Sequence, residues 1–104
     1  MITRYDPMTV GLTETDRPAS TAPVRSAVVF TEGNQRHGIW EAEPGVHREY
    51  GGPETVVILQ GRATVEGSSG TTVDVGPGDL VVVDAGEQTI WTVHEKIRKV
   101  FVVN

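Results

Sequence analysis

An all-β domain, built as a sandwich or barrel, is the class this sequence predicts, and three observations predict it. Short runs rich in valine, isoleucine, threonine and aromatic residues recur at close intervals. Each run is bounded by glycine, proline, aspartate or asparagine, and no segment carries the period of a convincing helix. The 104 residues make one domain, long enough to bury about two-thirds of the unfolded surface without disulfide or metal staples.

Residues 1 to 23 are polar, interrupted by Pro7, Pro18 and Pro23, and show neither strand nor helix periodicity. They predict an extended arm that either frays or is tied down across the barrel or onto a second subunit. Ile2, Tyr5, Met8, Val10 and Leu12 offer it apolar grip. The domain proper, 24 to 104, predicts strands at Val24–Thr31, His37–Glu43, Glu54–Gln60, Ala63–Glu66, Thr71–Val75, Asp79–Asp84, Gln88–His94 and Ile97–Val103. Gly61-Arg62, Gly67-Ser68-Ser69-Gly70 and Gly76-Pro77-Gly78-Asp79 read as hairpin-like turns, because glycine supplies the positive φ that tight turns require.

Composition narrows the function. There is no cysteine, so disulfides, zinc–thiolate sites and thiol nucleophiles are excluded. Fourteen acidic residues against nine basic give a net charge of -5, and the only basic cluster is Lys96 to Lys99, which argues against a nucleic-acid partner. The apolar stretches are too short to span a bilayer and the N-terminus lacks the apolar run of a signal peptide, so a cytoplasmic protein without a membrane partner is expected. No serine nucleophile elbow, phosphate loop or glycosidase-like carboxylate pair is identifiable.

The stretch from Gly45 to Gly61, GVHREYGGPETVVILQG, carries the chemistry. His47 and Glu49 are two apart and project from one face of an extended segment, while Glu54 shares a strand face with Val56 and Ile58 and points inward. A buried carboxylate needs a partner. On the last strand Lys99 alternates with Phe101 and Val103; the expectation is that it snorkels to a barrel end, the alternative that it pairs with Glu54 or Glu49, with Arg98 facing outward. Thr89, Trp91 and Val93 share a face that His94 does not.

The runs GIWEAEPGVHREY, ETVVILQGRATVEG, DVGPGDLVVVDAG and IWTVHEKIRKVFVV, over residues 37 to 103, resemble a cupin. More narrowly they resemble the small single-domain cupins related to ureidoglycine aminohydrolase and the ethanolamine-utilisation cupin. The resemblance implies an antiparallel jelly-roll-type barrel with a solvent-open pocket, frequently paired as a homodimer. The first cupin motif maps onto His47, Glu49, Glu54 and Gly61, with glutamate where a second histidine usually stands and Glu41 where a glycine does. The second motif maps onto Gly78, Asp84, Gly86, Thr89 and Val93, and its proline, histidine and asparagine are absent.

A catalytic zinc or iron site needs about three ligands, and imidazole supplies most of the affinity. Here His47, Glu49 and Glu54 are the candidate metal ligands, for one divalent ion (manganese, zinc, iron or nickel) or for none. Glu54 is the candidate catalytic residue, and Trp40, Tyr50, Thr89, Trp91 and Lys99 the candidate ligand-binding residues. Two indoles near carboxylates suit an apolar or cationic guest. The expected function is binding of a small polar metabolite, an amine or carbonyl compound, by a cupin with a degenerate metal site. The alternative is an aminohydrolase- or isomerase-like enzyme acting on a small nitrogenous substrate through Glu54 or a carboxylate-bound ion.

Overall fold

The computed structural model describes residues 1–49 and 53–104; Tyr50 lies outside them. It contains eight strands, β1 (Thr13–Thr15), β2 (Val24–Glu32), β3 (Gln35–Ala42), β4 (Gly45–Glu49), β5 (Glu54–Gly67), β6 (Thr72–Val75), β7 (Leu80–Val83) and β8 (Thr89–Val103). All pairings are antiparallel, in the order β1-β2-β3-β8-β5-β6, with β4 added on β8 and β7 on β5. Among the described residues no helix is long and apolar enough to cross a membrane.

The two longest strands organise everything else. The C-terminal half of β8 lies between β3 and the first half of β5, which in turn pairs with β7. The N-terminal half of β8 lies between β4 and the second half of β5, which pairs with β6. Two layers therefore share the bent strands β5 and β8 and face each other across a core of Val24, Trp40, Ala42, Val56, Ile58, Ala63, Val65, Val75, Trp91, Val93 and Ile97. The result is the jelly-roll type of fold expected, with a ladder that runs from β1 to β6 without joining its ends.

Both bends correct the sequence-based boundaries. Gly61-Arg62 is not a turn: β5 runs through it as a bulge, with register shifts between Gln60 and Ala63. Val56 and Ile58 point into the core before it and Ala63 and Val65 after it, so the inward set moves from even to odd positions. Gly61 has φ 88°, and a Cβ there would meet the carbonyl oxygens of Lys96 and Glu95 on the neighbouring strand. Gln88–His94 and Ile97–Val103 likewise form one strand, β8.

Gly67–Gly70 does reverse the chain, closed by Gly67 N–H donating to Thr71 O (2.8 Å). Gly76–Asp79 does not. Because β6 and β7 both pair antiparallel with β5, the segment is an offset between two successive partners of one strand. Gly78 N–H donates to Ile58 O (2.8 Å), Ile58 N–H to Asp79 O (3.0 Å), and Gly76 N–H to the Asp79 carboxylate (2.8 Å).

The arm is tied to its own chain. β1 extends the sheet beside β2, and Ser20 bridges His47 on the free edge of β4. Thr21 N–H donates to Val46 O (2.9 Å), and Arg48 N–H to Ala19 O (3.3 Å). The expected apolar grip is smaller than the sequence suggests, since Ile2, Tyr5 and Met8 are exposed. Polar contacts with Arg98, described below, hold the arm instead.

Candidate functional site

Strand alternation and the bulge at Gly61 put Trp40 from β3, His47 and Glu49 from β4, Glu54 from β5, and Thr89, Trp91 and Lys99 from β8 on the inward side of the two layers. Register seats His47 opposite Trp91, Glu49 opposite Thr89, Trp40 opposite Lys99 and Glu54 opposite Val103.

Lys99 is at the centre and corrects the expectation that it snorkels to a barrel end: it is only 2% exposed. Its Nζ lies 4.0 Å from the centre of the Trp91 ring, 4.3 Å from that of Trp40 and 3.9 Å from Glu54 Oε1. The alternative pairing with Glu54 is the one realised. Burial pushes the Lys99 amine below the usual lysine range; Glu54 and Glu49 oppose that shift, and Arg17 adds to it. The indole faces also favour the charged form, but the desolvation of a fully enclosed amine is the larger effect.

Around this amine the polar inventory is incomplete. His47 is fully buried, its Nε2 2.8 Å from Glu43 O. A carbonyl only accepts, so Nε2 carries the proton and Nδ1 of the neutral ring is an acceptor. Among the described residues, that Nδ1 has no partner, and neither does Trp40 Nε1, a donor, or Glu49 Oε1, an acceptor. The Trp40 and His47 rings meet edge to face with centres 5.8 Å apart. By contrast, Trp91 Nε1 donates to Thr89 Oγ1 (3.1 Å), and the second oxygen of Glu49 lies 3.3 Å from Arg17 on the arm. Buried polar groups are rarely left unpaired in a core that serves packing alone.

The expected metal set does not assemble. Among the described residues no three His, Cys, Asp or Glu side chains converge as ligands. His47 commits one ring nitrogen to a backbone carbonyl, and Glu54 faces the Lys99 amine. A cationic amine beside the acceptor that would bind a cation disfavours a second cation there. The Lys99 amine thus competes with a divalent ion for Glu54, while His47 Nδ1 and Glu49 Oε1 are not engaged by it.

A cleft of about 540 Å³ lies beside this cluster rather than around Glu54. Val65, Val73, Val75, Val81, Val83 and Thr89 line it. It borders the cluster through Thr89 and Val83, the register partners of Glu49 and Glu54. Trp40, Trp91, Lys99 and Glu54 do not line it.

The sequence matches the EutQ-like cupin domain over residues 30–101. The chain belongs to the EutQ-like cupins. This cupin is similar in structure to the EutQ protein of Clostridium difficile, with TM-score 0.83, 18% identity and coverage of 98% of this chain and 86% of that one. A DUF861 family protein from Thermotoga maritima is 33% identical over 64% of this chain and 76% of its own, with TM-score 0.59. The polyketide cyclase RemF from Streptomyces resistomycificus, 17% identical with TM-score 0.78, covers 99% of this chain and 79% of its own and shares the fold. A comparison with curated protein sequences finds no match.

Sequence reasoning missed the outer face of β8. Arg98, though directed away from the core, is only 8% exposed. It donates to Glu41 Oε2 (2.9 Å), Pro7 O (2.8 Å) and Val10 O (3.0 Å). Glu41 also meets Arg25 (3.1 Å) and Lys96 (3.5 Å). The one available signal was Glu41 standing where the cupin pattern has glycine.

Proposed function

We propose that this cupin binds a small polar metabolite bearing a carbonyl or amine group in its interior, with the Lys99–Glu54 ion pair in the place a metal takes in other cupins. The observation that carries the reading is a buried amine between two indole faces, with three unpartnered polar atoms on Trp40, His47 and Glu49, which share the inward side with it. Trp40 Nε1 offers a donor, and His47 Nδ1 and Glu49 Oε1 offer acceptors. A guest with one acceptor and one or two donors completes that set, and the rings supply apolar area around it. Glu54, with 18% of its side chain exposed, marks the wetter side.

The test is a panel of small carbonyl compounds, amines and amides read by quenching of the Trp40 and Trp91 fluorescence and by thermal shift, before and after chelator treatment. The reading predicts saturable binding that survives chelation and is lost in Trp40→Phe, which removes the unpartnered donor while keeping an aromatic ring. Binding that requires an added divalent ion, or that is untouched by the substitution, contradicts it.

A second reading has one observation in its favour. A partly exposed carboxylate 3.9 Å from a buried amine is an acid–base pair, which suits an enzyme acting on a small nitrogenous or carbonyl substrate. Loss of turnover with retained binding in Glu54→Gln is the signature of that alternative.

A further inference from the structure

Resting on the proposed interior binding site, we infer that Lys99 is a carbonyl-condensing residue: its amine forms a Schiff base with a small aldehyde or ketone, with Glu54 moving the protons. Three features of the geometry point there. The amine is enclosed in a low-polarity slot between Trp40 and Trp91, where the neutral nucleophile is less disfavoured than in water. Glu54 Oε1, at 3.9 Å, is one small displacement from hydrogen-bond reach, as apo acid–base pairs commonly are. The unpartnered Trp40 Nε1–H belongs to a ring centred 4.3 Å from the amine and supplies a donor for an oxygen beside it. The other charged and titratable groups facing the site are Glu49, Arg17 and His47, and all three stay intact through the step.

The step balances without any other reagent. An ammonium proton passes from Lys99 to Glu54. The amine lone pair adds to the carbonyl carbon, a C–N bond forms, and the carbonyl oxygen takes the proton back from Glu54. Nitrogen then returns a proton to Glu54, giving a neutral carbinolamine. Glu54 protonates the hydroxyl, which leaves as water while the nitrogen lone pair closes the C=N bond. The products are one water and an iminium paired with the Glu54 carboxylate, with no change in oxidation state. The apolar slot disfavours the return of water, which lengthens the life of the adduct.

The chain carries an internal control, because Lys96 and Lys99 are its only lysines and Lys96 is well exposed. The folded 104-residue chain is incubated with propionaldehyde, reduced with borohydride and mapped by peptide mass spectrometry. A parallel sample receives propionamide, which presents a similar carbonyl but does not condense, and is read by tryptophan quenching. The inference predicts propylation of Lys99 ahead of Lys96 and the N-terminus in the folded protein, equal labelling after unfolding, and about hundredfold slower labelling of Lys99 in Glu54→Gln. Label confined to Lys96 and the N-terminus overturns it. With propionamide still quenching the indoles, only the covalent step fails; with no quenching by either compound, the binding site fails as well.

Discussion

Arg98 and Lys99 are neighbours on β8, both buried, both cationic and both facing a glutamate, yet the chain treats them in opposite ways. Arg98, on the outer face, has a partner on each guanidinium nitrogen: it donates to Glu41 and to two carbonyls of the arm, and Glu41 is itself shared with Arg25 and Lys96. Lys99, on the inner face, has among the described residues one carboxylate at ion-pair distance and two indole faces, and the groups around it leave three buried polar atoms unpaired. A buried charge with a partner on every nitrogen is a staple. One set among incomplete partners is where a guest has something to gain, and that difference separates structure from function here more clearly than burial or charge does.

The largest effect that would sharpen the contrast is on the outer face. Arg98→Ala leaves Glu41 half-compensated and two arm carbonyls without their donor, so it is expected to cost about 3–5 kcal/mol in urea unfolding. It should also raise hydrogen exchange in residues 7 to 12. A loss below about 1 kcal/mol, the level of an exposed ion pair, would break the comparison from that side. Next comes Gly61→Ala, which forces a Cβ against the Lys96 and Glu95 carbonyls at a positive φ. It is expected to cost about 1–3 kcal/mol by the same measurement and to weaken the phase change that turns Glu54 inward.

The inner pair should respond differently. Replacing both members, Lys99→Met with Glu54→Gln, is expected to leave the unfolding midpoint equal to wild type or higher, since an apolar side chain between two indoles incurs no charge desolvation. Guest binding should disappear in the same protein. A double variant that loses as much stability as Arg98→Ala would make Lys99 a second staple.

The smallest effect is a pH dependence. Lys99 has its folded value depressed by burial, so between that value and the ordinary lysine range the unfolded chain binds the extra proton, and stability rises with pH. Thermal unfolding from neutral to alkaline pH should show this rise in wild type and lose it in Lys99→Met.

Most of the strands were legible because runs of β-branched and aromatic residues are bounded by turn residues, and a period of two placed Glu54 with Val56 and Ile58 and Trp91 with Thr89 and Val93. The two bends were not. A glycine that shifts the phase of one strand has the same local signature as a glycine that ends one, and only the Lys96 and Glu95 carbonyls packed against Gly61 distinguish them. The GPGD segment misled for a related reason, since its turn chemistry is genuine while its direction depends on β5 pairing in succession with β7 and β6.

The site was legible as a set of inward residues and not as a set of partners. His47, Glu49 and Glu54 fit a metal motif by spacing, but the sequence does not show that the Lys99 amine faces Glu54. Arg98 reaches carbonyls 88 and 91 residues away. No local pattern encodes that distance.

The contrast between the two cations is tested most directly by nuclear magnetic resonance titration of protein labelled with ¹³C-lysine, whose Cε signals report Lys96 and Lys99 alone. The Lys99 resonance should titrate below the ordinary lysine range, with Glu54→Gln moving it lower still because the carboxylate opposes the shift. Two resonances titrating together in the ordinary range would mean that Lys99 is a solvated or fully paired ammonium, and would contradict the account of a poised interior amine.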